Sequence, residues 1–171
     1  MSLLLPPAHV DLLAVGMAFA VRYRNARQAG SVRARQCGPA SLEVSGDVQC
    51  RDLVDMALRA WLKGQARQFL PPLLESSARR FDLEYSSVTV RLQRTRWGSC
   101  SAKGGISLSA KLLFLPPDLT LYVLAHELAH TKHHNHSAAY WRFLESLVPD
   151  TRALDRALRE ARLFVPAWAN E

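Results

Sequence analysis

The stretch Pro116-Pro117-Asp118-Leu119-Thr120-Leu121-Tyr122-Val123-Leu124-Ala125-His126-Glu127-Leu128-Ala129-His130 decides how this chain is read. The paired prolines stop whatever precedes them. Asp118 is then a natural N-cap, because its carboxylate can accept the orphan backbone N–H groups of a first helical turn. A helix is expected from Leu119 to about His134. It is apolar on nearly every side, through Leu119, Leu121, Val123, Leu124, Ala125, Leu128 and Ala129. Such a helix belongs in the middle of a fold, and the polar residues it carries are costly to bury without a reason.

Those polar residues supply one. Two histidines four apart stand on one helix face, so His126 and His130 can both reach a single zinc ion at about 2.0–2.1 Å. Glu127, next to the first histidine, can swing its carboxylate toward a water on that ion. This is the H-E-x-x-H pattern of zinc metallopeptidases; the plainer reading is a helix whose histidines are merely hydrogen-bonded. A catalytic zinc takes three protein ligands and keeps a fourth position open. His133, His134, His136 and Glu145 all follow. A straight helix would carry His134 about 6 Å beyond His130, too far to share an ion with His126, so the third ligand is expected after the helix ends. Asn135 tolerates the left-handed conformation of helix C-termini. His136 follows it directly, and Ser137 can cap a new helix through Ala138, Tyr140, Trp141 and Leu144. His136 is therefore the expected third ligand, with Glu145, which would make the site His₂Glu, as the alternative. His133 and His134 read as solvated or supporting residues. The spacing also fits the metzincin pattern, but His133 stands at its glycine and no methionine follows Met56, which excludes that class.

Outward from the helix, Val88, Val90 and Leu92 alternate with polar residues as a half-exposed strand. Gly98 to Ser109, turning at Lys103-Gly104-Gly105, reads as a hairpin feeding a small sheet. From Arg51 the period becomes helical, with Leu53, Met56, Ala57, Ala60 and Trp61 as the apolar stripe. Pro71-Pro72 is expected to break or restart this helix before a second piece runs to about Phe81. Residues 17–46, punctuated by turn residues, read as a small antiparallel lobe, and the apolar run Leu12–Val21 as the start of a buried strand. The fold class is α+β, divided as an N-terminal β-rich lobe over 1–48 and a second unit over 49–171, with one compact unit as the alternative.

The order Thr95-Arg96-Trp97-Gly98-Ser99-Cys100-Ser101, Lys103-Gly104, Ile106-Ser107-Leu108, Pro116, His126 to His130 and Asn135-His136-Ser137 resembles the YgjP-like metallopeptidases, a family similar to the SprT-like and other minimal zincins. The resemblance covers residues 85–150 well and the N-terminal lobe weakly. It implies a zincin-like helical core with a small sheet, Zn2+ held by His126, His130 and His136, and Glu127 as general base on a zinc-activated water. It also suggests that the strand around Ile106 to Ser109 pairs with an extended peptide substrate. Where Tyr140 stands the family often has phenylalanine. Tyr140 is a candidate donor to the developing oxyanion, or a core aromatic beside Trp141. Cys100 is a small buried residue in a tight turn, or else a fourth ligand that would close the site.

The 171 residues carry a net charge of +7 and a pI of about 9.8. A solvated basic surface explains this without a basic block, and attraction to nucleic acid or to an acidic partner is the sharper reading. An odd count of three cysteines, with no CxxC pair, argues against a disulfide scaffold and against a cysteine-based zinc finger. No basic start precedes the first apolar run, and no apolar run is long enough to span a bilayer, so a cytoplasmic peptidase acting on peptide or protein substrates, without a membrane partner, is expected. A DNA-associated protease of SprT-like type and a non-catalytic zinc module are the alternatives. Asp118 and Asp150 lie near enough in sequence to be candidate hydrogen-bond partners of the histidines.

Overall fold

The computed structural model describes residues 6–26 and 30–170. It is α+β: two small sheets and four helices packed around one continuous apolar cluster running from Val10 to Ala169. The first sheet holds β1 (His9–Leu12), β2 (Met17–Asn25), β3 (Val32–Gly38) and β4 (Ser41–Gly46) in the order β1-β2-β4-β3. It is mixed where an antiparallel lobe was expected. β2 and β4 run parallel, with Val21 opposite Leu42 and Tyr23 opposite Val44, and β3 is the antiparallel edge. The expected single strand over Leu12–Val21 is also cut. Leu13–Val15 makes a tight turn that ends on Gly16 at φ 62, a conformation glycine adopts without steric cost. The chain then doubles back with Leu12 opposite Met17.

A long helix, α1 (Arg51–Phe81), follows without interruption through Pro71 and Pro72. Each proline removes a backbone donor and costs about 3 kcal/mol or more in a helix interior. The helix survives because Ala66, Leu70, Leu74 and Ala78 lock its inner face into the core at 0–4% exposure, each buried leucine contributing about 1.5–3 kcal/mol. The prolines' missing bonds free the carbonyls of Arg67 and Gln68, residues on the exposed side, where water can reach them. The buried stripe is Val54, Ala57, Leu58, Trp61 and Leu62. It is rotated from the one expected, so Met56 faces solvent at 58% exposure and Ala60 is exposed.

The second sheet is β5 (Ser87–Arg91), β6 (Gly98–Cys100) and β7 (Gly105–Ser109) in the order β5-β7-β6. The hairpin is present: β6 pairs antiparallel with β7, with Gly98 opposite Leu108, and Gly104 takes the turn at φ +76. β5 adds in parallel to the other side of β7. Ile106–Ser109 is thus paired on both edges and has no free edge for a substrate; the edge strands are β5 and β6. Helix α2 (Pro117–Ala129) starts two residues earlier than the expected Leu119, so Asp118 is not its cap. Pro116 is the cap and Pro117 the first helical residue, a place where its missing N–H costs nothing. Asp118 is exposed in the first turn without a side-chain capping bond. α3 (Ala138–Leu147) and α4 (Thr151–Glu160) close the fold. Among the described residues no helix is long and apolar enough to cross a membrane.

Candidate metal centre

α2 supplies the floor of the site. Its residues Tyr122 to Ala125, Glu127, Leu128 and Ala129 are buried, which fixes the axis and points His126 and His130 toward one side. The helix stops at Ala129, five residues short of the expected end, and Asn135 takes no left-handed conformation. The carbonyls of the last turn are instead captured early. The Thr131 hydroxyl donates to the Leu128 carbonyl at 2.8 Å, and the His133 amide to that of Ala129 at 3.0 Å. With its last carbonyls so satisfied, the chain turns back after Lys132. The Asn135 side chain accepts from the Ser137 amide at 3.3 Å, and Ser137 Oγ caps α3 by accepting from the Tyr140 amide at 3.4 Å. This reversal returns His136 to His126.

The ligand atoms offered by His126, His130 and His136 lie within 4.8 Å of one another. His126 Nε2 is 3.3 Å from His130 Nε2 and 3.3 Å from His136 Nε2. A tetrahedral ion bonded to each nitrogen at about 2.0–2.1 Å sets its ligand atoms about 3.3–3.4 Å apart, so the spacing fits a metal. The protons agree. His130 Nδ1 lies 2.9 Å from the His133 carbonyl, which can only accept, so Nδ1 carries the hydrogen and Nε2 turns a bare lone pair inward. Burial lowers the pKa of His126 to about 4, aided by its two histidine neighbours, and burial also lowers that of His130. Neutral imidazole is the form that binds a metal.

Glu127 is 5% exposed. Burial raises its pKa to about 7 against the opposing pull of the Arg96 guanidinium, the range in which a carboxylate exchanges protons near neutrality. Gly98, at the start of β6, lies directly against it: a Cβ there would sit 2.7 Å from Glu127 Oε1 and 2.8 Å from Cγ. Behind the histidines, the Tyr140 hydroxyl donates to the His126 backbone carbonyl at 3.3 Å, and its ring stacks on His130 with centroids 4.6 Å apart. Tyr140 is fully buried, and these contacts place it as a support of His126 and His130.

The other sequence candidates fall away. Glu145 is exposed on α3 and lies outside the cluster. Cys100 also lies outside it, its Sγ 3.5 Å from the Ser101 carbonyl and its thiol pKa raised by burial and by Glu127. His134 is exposed, and His133 gives only its carbonyl to His130. Asp150 is an exposed cap of α4 in the left-handed region at φ 59. Asp155 was missed: it accepts from the Tyr122 hydroxyl at 3.3 Å, and its charge acts on His126. Nothing in the amphipathic pattern of α4 marks it off from an ordinary surface aspartate. Cavity size does not find the site either. A cavity of about 510 Å³ lies at the end of α1, lined by Glu75, Arg79 and Tyr85, with none of the three histidines.

Comparison with known families matches residues 14–161 to the YgjP-like metallopeptidase domain. No curated protein matches the chain. Among solved structures it is similar to one titled as the metallopeptidase zymogen of Pyrococcus abyssi abylysin, with 28% identity over 55% of this chain and 96% of that one, at a TM-score of 0.48. With the match spanning most of its length, this chain belongs to the YgjP-like metallopeptidase family.

Proposed function

We propose that the protein is a zinc-dependent peptidase in which His126, His130 and His136 hold the metal and Glu127 is the general base. The observation that carries this is the three-nitrogen cluster at tetrahedral spacing, which no fourth His, Cys, Asp or Glu joins among the described residues. Three protein ligands and a free position are the mark of a catalytic rather than a structural zinc, and this weighs against a closed module built with Cys100. When bound, zinc activates a water and polarises the scissile carbonyl. Glu127 takes the proton of the attacking water and returns it to the leaving amine. The open edge of β6 beside Glu127 is placed to pair with an extended peptide and hold its backbone across the base.

The test is metal content of wild type, His136→Ala and Glu127→Gln, followed by cleavage of a fluorogenic peptide library. One zinc per chain is expected in wild type and Glu127→Gln, none in His136→Ala, and cleavage in wild type alone. Retained zinc in His136→Ala would remove the third ligand. Equal cleavage by Glu127→Gln would remove the base.

A second reading, a DNA-associated peptidase of SprT-like type, has one observation behind it. Across the first sheet, Arg22 and Arg35 flank Glu43, while Arg24 and Arg33 flank Ser45. All four arginines are exposed, and Arg24 bonds Glu43 at 3.2 Å. The face carries these four cations to two carboxylates, Glu43 and Asp11, and its signature would be salt-sensitive binding of duplex DNA.

A further inference from the structure

Beside Trp97, just upstream of the edge strand, lies a cavity of about 170 Å³. Arg94, Arg96, Lys111 and Arg162 line it together with Asn170, and among the described residues no carboxylate does. Four arginines elsewhere, Arg24, Arg51, Arg79 and Arg159, each pair with a carboxylate. Arg94, Arg96 and Arg162 enter no ion pair among the described residues. Gathering like charges around one concavity is unfavourable unless an anion sits among them. The walls are also held in place. Lys111 is 5% exposed, with its ammonium donating to Asn170 Oδ1 at 2.9 Å. Arg162 Nη2 donates to the Thr95 carbonyl at 3.3 Å. The half-buried Trp97 ring offers an apolar wall for methylenes.

Position ties the cavity to the reaction. Trp97 is followed by Gly98, which packs on Glu127, and Arg96 is near enough for its charge to act on that carboxylate. A peptide paired along β6 across Glu127 passes the cavity at the strand's beginning. Its volume is below the roughly 300–1,000 Å³ of a small-molecule site, and it suits one side chain or a chain end.

We propose that the cavity walled by Arg94, Arg96 and Arg162 is a substrate subsite for a carboxylate, either an acidic side chain close to the scissile bond or the free C-terminus of a peptide. The inference rests on the peptidase reading. Guanidinium groups suit this ligand, because they bind carboxylates through paired N–H donors.

The experiment measures binding and cleavage of four matched peptides, carrying Glu or Gln at one internal position and ending in an acid or an amide. Binding is read by fluorescence anisotropy on zinc-loaded Glu127→Gln protein. At least one carboxylate is expected to tighten binding about tenfold, and which one does so identifies the source. The double variant Arg94→Gln/Arg162→Gln in the same background should lose that preference while binding the neutral peptide unchanged, with a thermal melt confirming its fold. Equal binding of all four peptides, no binding of any, or a preference that survives the double substitution overturns the subsite. Wild-type cleavage separates the two claims. A binding preference without any cleavage sinks the peptidase reading and leaves the subsite standing. Cleavage without preference does the reverse.

Discussion

Replacing Gly98 with alanine tests whether Glu127 is the group whose position matters. The added methyl would lie 2.7 Å from Glu127 Oε1, 2.8 Å from Cγ and 3.0 Å from Cδ, whereas ordinary contact begins at 3.4 Å. Something must therefore move by about 0.7 Å. The contact involves Cγ as well as the carboxylate end, and the residue is 5% exposed, so Glu127 has little room to turn aside. Overpacking of this kind costs about 1–3 kcal/mol of stability. A displacement near 1 Å of a positioned reacting group costs about 10²-fold in rate. The nearest atoms met all belong to Glu127, so zinc content should stay at one per chain while kcat/KM falls about a hundredfold. The assay is peptide hydrolysis beside metal analysis and a thermal melt. The melt is repeated in a Glu127→Ala background, where the freed volume should make Gly98→Ala nearly neutral, a non-additivity expected only of residues in contact. Wild-type kcat/KM in Gly98→Ala, or an undiminished loss of stability in the Glu127→Ala background, would refute the reasoning.

Two further outcomes follow from other parts of the fold. Tyr23 donates its hydroxyl to the Pro7 carbonyl at 2.8 Å, and burial raises its pKa to about 12. Because the folded state holds this proton more tightly than the unfolded one, its contribution to stability is whole below pH 10 and lost as the pH rises toward 12. Urea melts at stepped alkaline pH should show a shallower decline for Tyr23→Phe, and an identical slope would contradict the assignment. For the arginine face of the first sheet, four phosphate contacts predict a slope of about −3.6 in log binding constant against log salt. That slope should fall by about half in Arg33→Gln/Arg35→Gln, and an absence of duplex binding at low salt removes the nucleic-acid reading.

What the sequence determined by itself was local. Two histidines one turn apart with a glutamate between them, on an apolar helix, are a property of period and composition, and the structure keeps His126 and Glu127 on α2 and His130 at its C-cap. The hairpin at Gly104 and the cap at Ser137 were equally legible, since each depends on a few neighbouring residues. The helix end was misplaced because its carbonyls are taken by Thr131 and His133, a competition that periodicity does not register. The prolines of α1 break an isolated helix, yet here they are overruled by the packing of Leu70 and Leu74. The parallel pairing of β2 with β4, and of β5 with β7, joins strands distant in the chain, and alternation of apolar residues cannot tell parallel from antiparallel. Only the tertiary structure decided that Gly98 lies against Glu127, that the Tyr140 hydroxyl meets the His126 carbonyl, that the Asp155 charge acts on His126, and that Arg94, Arg96 and Arg162 share one cavity. Each is a contact between separate elements, set by how the helices and sheets pack, and close packing leaves no trace in the spacing of residues along the chain.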